Sequence, residues 1–155
     1  MKKIAIFPGS FDPFTIGHES IVNRAIPLFD KIIIAVGYNS AKQGFFPLEK
    51  RITWIEKVFK DQPKVDVSTY TGLTVDFCKE HEVNFILRGL RTSADFEYER
   101  AIGHMNHAMM PGLETVFLLT APEYSMISST IVREIVRFGA DVSKFVPSAM
   151  NLYEK

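Results

Sequence analysis

Lys3-Ile4-Ala5-Ile6-Phe7, followed by Pro8-Gly9-Ser10-Phe11-Asp12-Pro13-Phe14-Thr15-Ile16-Gly17-His18, is the stretch that decides the fold of this 155-residue chain. Its first part is a short apolar run ended by Pro-Gly, the pattern of a strand buried on both faces. Over residues 18–29, Ile21, Val22, Ala25, Ile26 and Phe29 recur at helical spacing, and Pro27 should loosen the last turn. A second isoleucine-rich run at residues 32–36 completes a strand, loop, helix, strand unit with two parallel strands expected.

The alternation continues outward from that unit. Pro47 suits the first turn of a second helix, and Leu48, Ile52, Ile55, Val58 and Phe59 give it an apolar stripe. A strand is expected at Val65–Tyr70, a third helix over residues 73–82, and a fourth strand over 84–88. A long helix over 94–110 is closed by Pro111-Gly112, and a fifth strand follows at 115–120. The remainder predicts a helix over about residues 129–138 and a shorter one after Pro147. Strands alternating with helices imply an α/β fold, a five-stranded parallel sheet with helices on both faces. No repeat, linker or low-complexity segment interrupts it, so residues 1–155 are expected to form one domain.

Composition narrows the function. The chain is 46% hydrophobic and 23% charged, as in ordinary globular proteins. Eighteen basic residues balance eighteen acidic ones, so no global field favours a nucleic-acid backbone or an anionic membrane, and a small anionic ligand is the partner expected. The apolar run behind Lys2 and Lys3 is too short for a signal peptide, and no stretch approaches the roughly 20 residues of a spanning helix. Cys78 is the only cysteine, which excludes an internal disulfide, fits a reducing cytoplasm and is expected to be a small buried residue in a helix rather than a nucleophile.

In open parallel sheets, ligands bind beyond the carboxyl ends of the strands, near the point where strand order reverses. The loops expected there hold residues 8–18, 39–42, 88–91 and 124–130. Gly9 and Gly17 allow close approach of a ligand, Ser10 adds a hydroxyl, and the helix start supplies N–H groups and the positive end of a dipole. His18 could donate from its ring or merely cap the helix. The stretch matches neither the GxGxxG fingerprint nor the Gly-Lys-Ser/Thr phosphate loop. Arg88-Gly89-Leu90-Arg91 places two guanidinium groups after a buried strand, suited to bidentate phosphate contact or to ion pairs with Asp95, Glu97 or Glu99. Ser128-Ser129-Thr130 opens a helix; one hydroxyl suffices as a cap, and three suggest a second anion site. His104 and His107 share a helix face without a third ligand nearby, so no protein-built metal site is expected.

Together, Gly-Ser-Phe-Asp-Pro-Phe-Thr-Ile-Gly-His at 9–18, Arg-Gly-Leu-Arg at 88–91 with Asp-Phe-Glu-Tyr-Glu at 95–99, and Ile-Ser-Ser-Thr at 127–130 closely resemble the bacterial phosphopantetheine adenylyltransferase family. The resemblance covers nearly the whole chain. It implies a Rossmann-like fold and a magnesium-assisted transfer from ATP to 4'-phosphopantetheine, giving dephospho-coenzyme A and pyrophosphate in the penultimate step of coenzyme A synthesis. By motif it implies ATP contacts from Gly9, Ser10, Phe11, His18, Gly89, Leu90, Arg91, Glu99, Tyr124, Ser125, Met126, Ile127, Ser128, Ser129 and Thr130. Ser10, Lys42, Thr74 and Arg88 would bind the acceptor, with His18, Lys42 and Arg88 as the catalytic set. Magnesium would be bound mainly through the ATP phosphates, coenzyme A is a further ligand to consider, and a homohexamer built as a dimer of trimers is expected. Ser10 stands where many relatives carry Thr, Thr130 where a third Ser is frequent, Met126 where an aromatic is common, and Thr74 at a variable position. A different acceptor, CTP in place of ATP, or a non-catalytic nucleotide-binding module are the alternatives.

Overall fold

The computed structural model describes residues 1–153. Strands β1 (Ile4–Gly9), β2 (Lys31–Gly37), β3 (Val65–Tyr70), β4 (Phe85–Leu90) and β5 (Glu114–Leu119) form one parallel sheet in the order β3-β2-β1-β4-β5. Five helices connect and cover it: α1 (Ile16–Ala25), α2 (Leu48–Val58), α3 (Thr74–Glu80), α4 (Ser93–Met109) and α5 (Ser129–Arg137). No described helix is long and apolar enough to cross a membrane.

The continuous apolar runs of β1 and β2 follow from burial on both sides. Ala5, Phe7, Ile32, Ile34 and Val36 join Ile21 and Val22 of α1, Trp54 and Ile55 of α2 and Val132 of α5 in one core. Their neighbours Ile6, Ile33 and Ala35 turn to the opposite face and pack with Ile86, Val75, Phe77 and Cys78. Alternation of side chains along a strand divides one apolar run between two layers.

Strand order reverses at β1, which has β2 on one side and β4 on the other. The β1–β2 register continues to Gly9↔Val36, whereas the β1–β4 register ends at Ile6↔Ile86. Beyond Ile6 and Ile86 the two central strands therefore part, and a crevice opens at their carboxyl ends where doubly wound sheets place ligands.

Several boundaries differ from the sequence expectation. α1 begins at Ile16 rather than His18, because Thr15 caps it, and Pro27 converts its end to a 3₁₀ turn at Ile26–Leu28. β4 runs on to Leu90, so Gly89 and Leu90 are strand residues paired with Leu118 and Leu119 rather than loop. Among the described residues no helix forms after Pro147: Met150 N–H donates to Pro147 O at 3.0 Å in a single turn, and Tyr153 N–H donates to Asn151 Oδ1 at 3.1 Å, a local bond that competes with helix continuation. The tail instead sends Val142, Val146 and Met150 into the larger core.

Candidate active site

The crevice is a cleft of about 360 Å³ floored by the ends of β1 and β4 and walled by the first turns of α1 and α5. At the start of α1, Thr15 Oγ1 accepts the His18 N–H at 3.4 Å while Thr15 N–H donates to His18 Nδ1 at 2.9 Å. This is a capping box in which imidazole replaces the usual carboxylate. A backbone N–H can only donate, so Nδ1 is an acceptor and the neutral ring carries its proton on Nε2. His18 is half-buried, with the rings of Phe7, Phe11 and Phe14 at centroid distances of 6.1, 5.0 and 5.2 Å. Desolvation, followed by the positive charges of Arg88 and Arg91, lowers its pKa from 6.5 to about 3. The ring both caps the helix and, being neutral, can donate one hydrogen bond from Nε2.

Gly9 ends β1 under the Phe11 ring. A Cβ there would come within 2.9 Å of Phe11 Cζ, so a side chain would displace the aromatic that packs against His18.

Arg88 spans the gap between the parted strands. Its Nη1 donates to Pro8 O at 2.7 Å, while Nε and Nη2 donate to Glu99 Oε2 and Oε1 at 2.9 and 2.7 Å. The ion pair that sequence spacing allowed is therefore formed, in bidentate geometry, from a Glu99 that is the one buried residue of α4. Arg91 Nε lies 3.6 Å from Asp95 Oδ2, and its Nη1 donates to Ile127 O at 3.4 Å. Each arginine thus has a carboxylate partner, and each still lines the cleft.

A second cavity of about 230 Å³ adjoins the first and shares Pro8, Gly9, Arg88 and Glu99 with it. Tyr70, Thr74, Tyr98, Ile102 and Asn106 are among the residues that form the rest of its wall, and Thr74 Oγ1 lies 3.1 Å from Tyr70 Oη. The Arg88–Glu99 pair stands between the two spaces.

The other sequence-selected residues divide. Gly9, Ser10, Phe11, Gly89, Tyr124, Ile127, Ser128, Ser129 and Thr130 line the larger cleft with His18, Arg88, Arg91 and Glu99. Leu90, Ser125 and Met126 line neither cavity; Leu90 is buried and Met126 is turned to solvent. Lys42 lines neither as well, lying on an exposed segment where its N–H donates to Asn39 O at 3.1 Å. The hydroxyls before α5 are engaged within the protein. Ser128 Oγ accepts the Ile131 N–H at 3.2 Å as the cap, Ser129 Oγ donates to Pro13 O at 2.7 Å, and Thr130 Oγ1 accepts from Arg133 Nη2 at 3.3 Å. Attraction of an anion here rests on the helix start and its dipole more than on three free hydroxyls. His107 Nδ1 lies 3.0 Å from Leu113 O, and among the described residues no group of three His, Cys, Asp or Glu gathers as a metal site.

Sequence reasoning missed Thr15, Asp12, Arg51 and Arg133. Thr15 had a signal, since Thr-x-x-His reproduces the capping-box spacing. Arg51 had a weaker one: it lies three residues after Leu48 and four before Ile55, on the apolar stripe of α2, where a charge must find buried partners. Its Nη1 donates to Ser10 O at 2.6 Å and its Nε to Phe46 O at 3.2 Å. Asp12 accepts the Phe45 and Phe46 N–H groups at 2.7 and 2.9 Å, and Arg133 Nη1 donates to Asp12 O at 2.8 Å. Those pairings join residues 33 to 121 positions apart, which no local pattern announces.

A parallel sheet in this order, with a cleft at its switch point, accords with the cytidylyltransferase-like family, whose model matches residues 6–135. A phosphopantetheine adenylyltransferase of Flavobacterium johnsoniae is 55% identical over 152 residues, covering 98% of this chain and 99% of its own length. Its counterpart from Phocaeicola vulgatus is 51% identical over 148 residues, covering 96% and 97%. The chain belongs to the phosphopantetheine adenylyltransferase family, within the nucleotidyltransferases. Among solved structures, a bifunctional NMN adenylyltransferase/ADP ribose pyrophosphatase from Francisella tularensis matches with a TM-score of 0.71 at 18% identity; the match covers 94% of this chain and 45% of that one. A second solved structure, of a different protein from Vibrio parahaemolyticus, matches with a TM-score of 0.64 at 21% identity over 96% of both chains. These two likenesses concern the Rossmann-like fold alone.

Proposed function

We propose that the chain transfers the adenylyl group of ATP to 4'-phosphopantetheine, releasing pyrophosphate and forming dephospho-coenzyme A. The observation that carries this reading is the pair of adjoining cavities divided by Arg88, one beside His18 and two helix starts, the other beside Thr74. A two-substrate transfer needs such a pair of spaces meeting at one cation.

The triphosphate is assigned to the larger cleft, with Gly9, Ser10, Phe11, His18, Gly89, Leu90, Arg91, Glu99 and residues 124–130 as the nucleotide set. Ser10, Lys42, Thr74 and Arg88 are assigned to the acceptor. Glu99, of the nucleotide set, also orients the Arg88 guanidinium, and Lys42 approaches from its exposed segment. The acceptor phosphate is anionic near neutral pH and needs no general base, so an oxygen of it attacks the α-phosphorus while the bond to the β-phosphate oxygen breaks. His18, kept neutral, donates Nε2–H to an α-phosphate oxygen as its charge grows, and Lys42 and Arg88 hold the acceptor in line. Asp95 and Glu99, the carboxylates of the cleft, are both committed to arginines, which suits a magnesium ion carried by the ATP phosphates. That ion, when bound, neutralises the charge of the departing pyrophosphate.

The chain is further assigned to act as one domain, in the cytoplasm and as a homohexamer. The exposed Tyr98, Met105 and Met109 along α4 support assembly, and the single buried Cys78 suits a reducing compartment.

Pyrophosphate release measured with ATP or CTP, against 4'-phosphopantetheine and nicotinamide mononucleotide, tests the reading. ATP with phosphopantetheine should exceed every other pair in kcat/KM. Preference for CTP or for the mononucleotide would replace the substrate assignment, and nucleotide binding without release would replace catalysis by mere binding.

A further inference from the structure

The end of β1 and the turn that follows it have four carbonyls bound by side chains of other elements. Pro8 O accepts from Arg88 of β4, Ser10 O from Arg51 of α2, Asp12 O from Arg133 of α5, and Pro13 O from Ser129. A carbonyl that already accepts from a side-chain donor repels a neighbouring anion less, which suits a turn beside a phosphate site. Asp12 of this turn engages the chain with its side chain as well. Its carboxylate is buried, at 8% exposure, and its two oxygens accept the consecutive N–H groups of Phe45 and Phe46 at 2.7 and 2.9 Å.

Phe45 and Phe46 end the segment that carries Lys42. At its other end, Tyr38 N–H donates to Tyr70 O at 3.1 Å and Ala41 N–H to Asn39 Oδ1 at 2.9 Å. Arg51 binds both sides of the junction, giving Nη1 to Ser10 O and Nε to Phe46 O. Gly44 passes so close that a Cβ there would come 2.8 Å from Asp12 Oδ2 and 3.3 Å from Arg51 Nη2. Two segments remote in sequence are therefore fixed to each other by one buried carboxylate and one buried guanidinium.

We propose that Asp12 is a positioning residue that fixes the Lys42-bearing segment to the phosphate turn, and so sets the acceptor against the nucleotide. This rests on the assignment of Lys42 to the acceptor. Asp12 reaches no substrate in this account: it acts through residues 44–46, and Arg51 braces the same junction. Its isosteric amide is the informative change, because Asn has a single acceptor oxygen and must turn an NH2 toward one of the two backbone donors.

The test combines exchange and kinetics in the full chain. In Asp12→Asn, hydrogen exchange at the Phe45 and Phe46 amides should speed by at least about tenfold relative to amides inside α2, with the fold retained. The acceptor KM should rise by about tenfold or more while the ATP KM moves less than about twofold. Gly44→Ala, which disturbs the same junction without altering Asp12, should reproduce that split. Combined with Lys42→Ala, Asp12→Asn should add little further loss of acceptor affinity, because both changes remove one contact. Unchanged exchange at Phe45 and Phe46 would overturn the clamp whatever the substrates are. Equal rises in the two KM values, or full additivity with Lys42→Ala, would overturn its positioning role. If exchange speeds while Lys42→Ala leaves acceptor binding intact, the Lys42 assignment fails and the role through Lys42 fails with it, leaving only a structural bond.

Discussion

The two ring nitrogens of His18 stand in different states. Nδ1 is committed to Thr15 N–H, which fixes the ring and leaves Nε2–H as the only atom it can offer a ligand. Burial among three phenylalanines and two nearby arginines holds the folded pKa near 3, below the 6.5 of an unperturbed ring. Between those values the unfolded chain binds the proton and the folded chain does not. The contribution of His18 to stability is therefore full above pH 6.5 and declines as pH falls toward 3, with a slope approaching about 1.4 kcal/mol per pH unit. Urea unfolding at pH 5 and pH 7 should show this loss in the wild type and less of it in His18→Gln. Equal losses in both proteins would contradict a ring kept neutral by the fold. Sequence spacing left His18 open between cap and donor; the structure shows the cap, made through Nδ1, and leaves Nε2–H unspent by it. Arg88 was open in the same way between phosphate and carboxylate; only the fold reveals that Glu99 aligns it without removing it from the cleft.

At the scale of elements, turn chemistry accounts for most differences from expectation. Thr15 moves the start of α1 back by two residues and places Gly17 and His18 in its first turn. Thr15→Ala should cost about 1 kcal/mol by loss of the side-chain cap, with kcat little changed because the backbone N–H of residue 15 still holds the ring, whereas Thr15→Ser should retain the cap as well. Thermal melts and kcat for the two variants decide this. Strand positions were legible because runs buried on two faces need no periodicity to be noticed, as in β1 and β2. The extension of β4 through Gly89 and Leu90 was not, since its last pairs depend on β5, distant in sequence. The expected helix after Pro147 failed because Asn151 offers its own side chain to the backbone and Met150 is drawn into the core.

For the molecule as a whole, the parallel α/β plan and the clustering of chemistry at one edge were readable from the order of elements alone. What sequence could not supply was the long-range bonding that shapes that edge: Asp12 to Phe45 and Phe46, Arg51 to Ser10, and Arg133 to Asp12. The tail is part of the same body, with Val142, Val146 and Met150 all buried. Ending the chain at residue 141 would expose the surface they cover, a loss of about 1.5–3 kcal/mol for each large side chain, comparable in sum with the stability of a whole domain. Such a chain should be insoluble or should lack a cooperative melt; an unchanged melting temperature would show that the tail is dispensable. Charge stabilisation by a neutral His18 between bound substrates is tested most directly by His18→Ala. ATP affinity, measured by calorimetry, should change less than about fivefold while kcat for pyrophosphate release falls by about 10²–10³. Retained turnover with ATP and phosphopantetheine, or a loss confined to ATP binding, would contradict it.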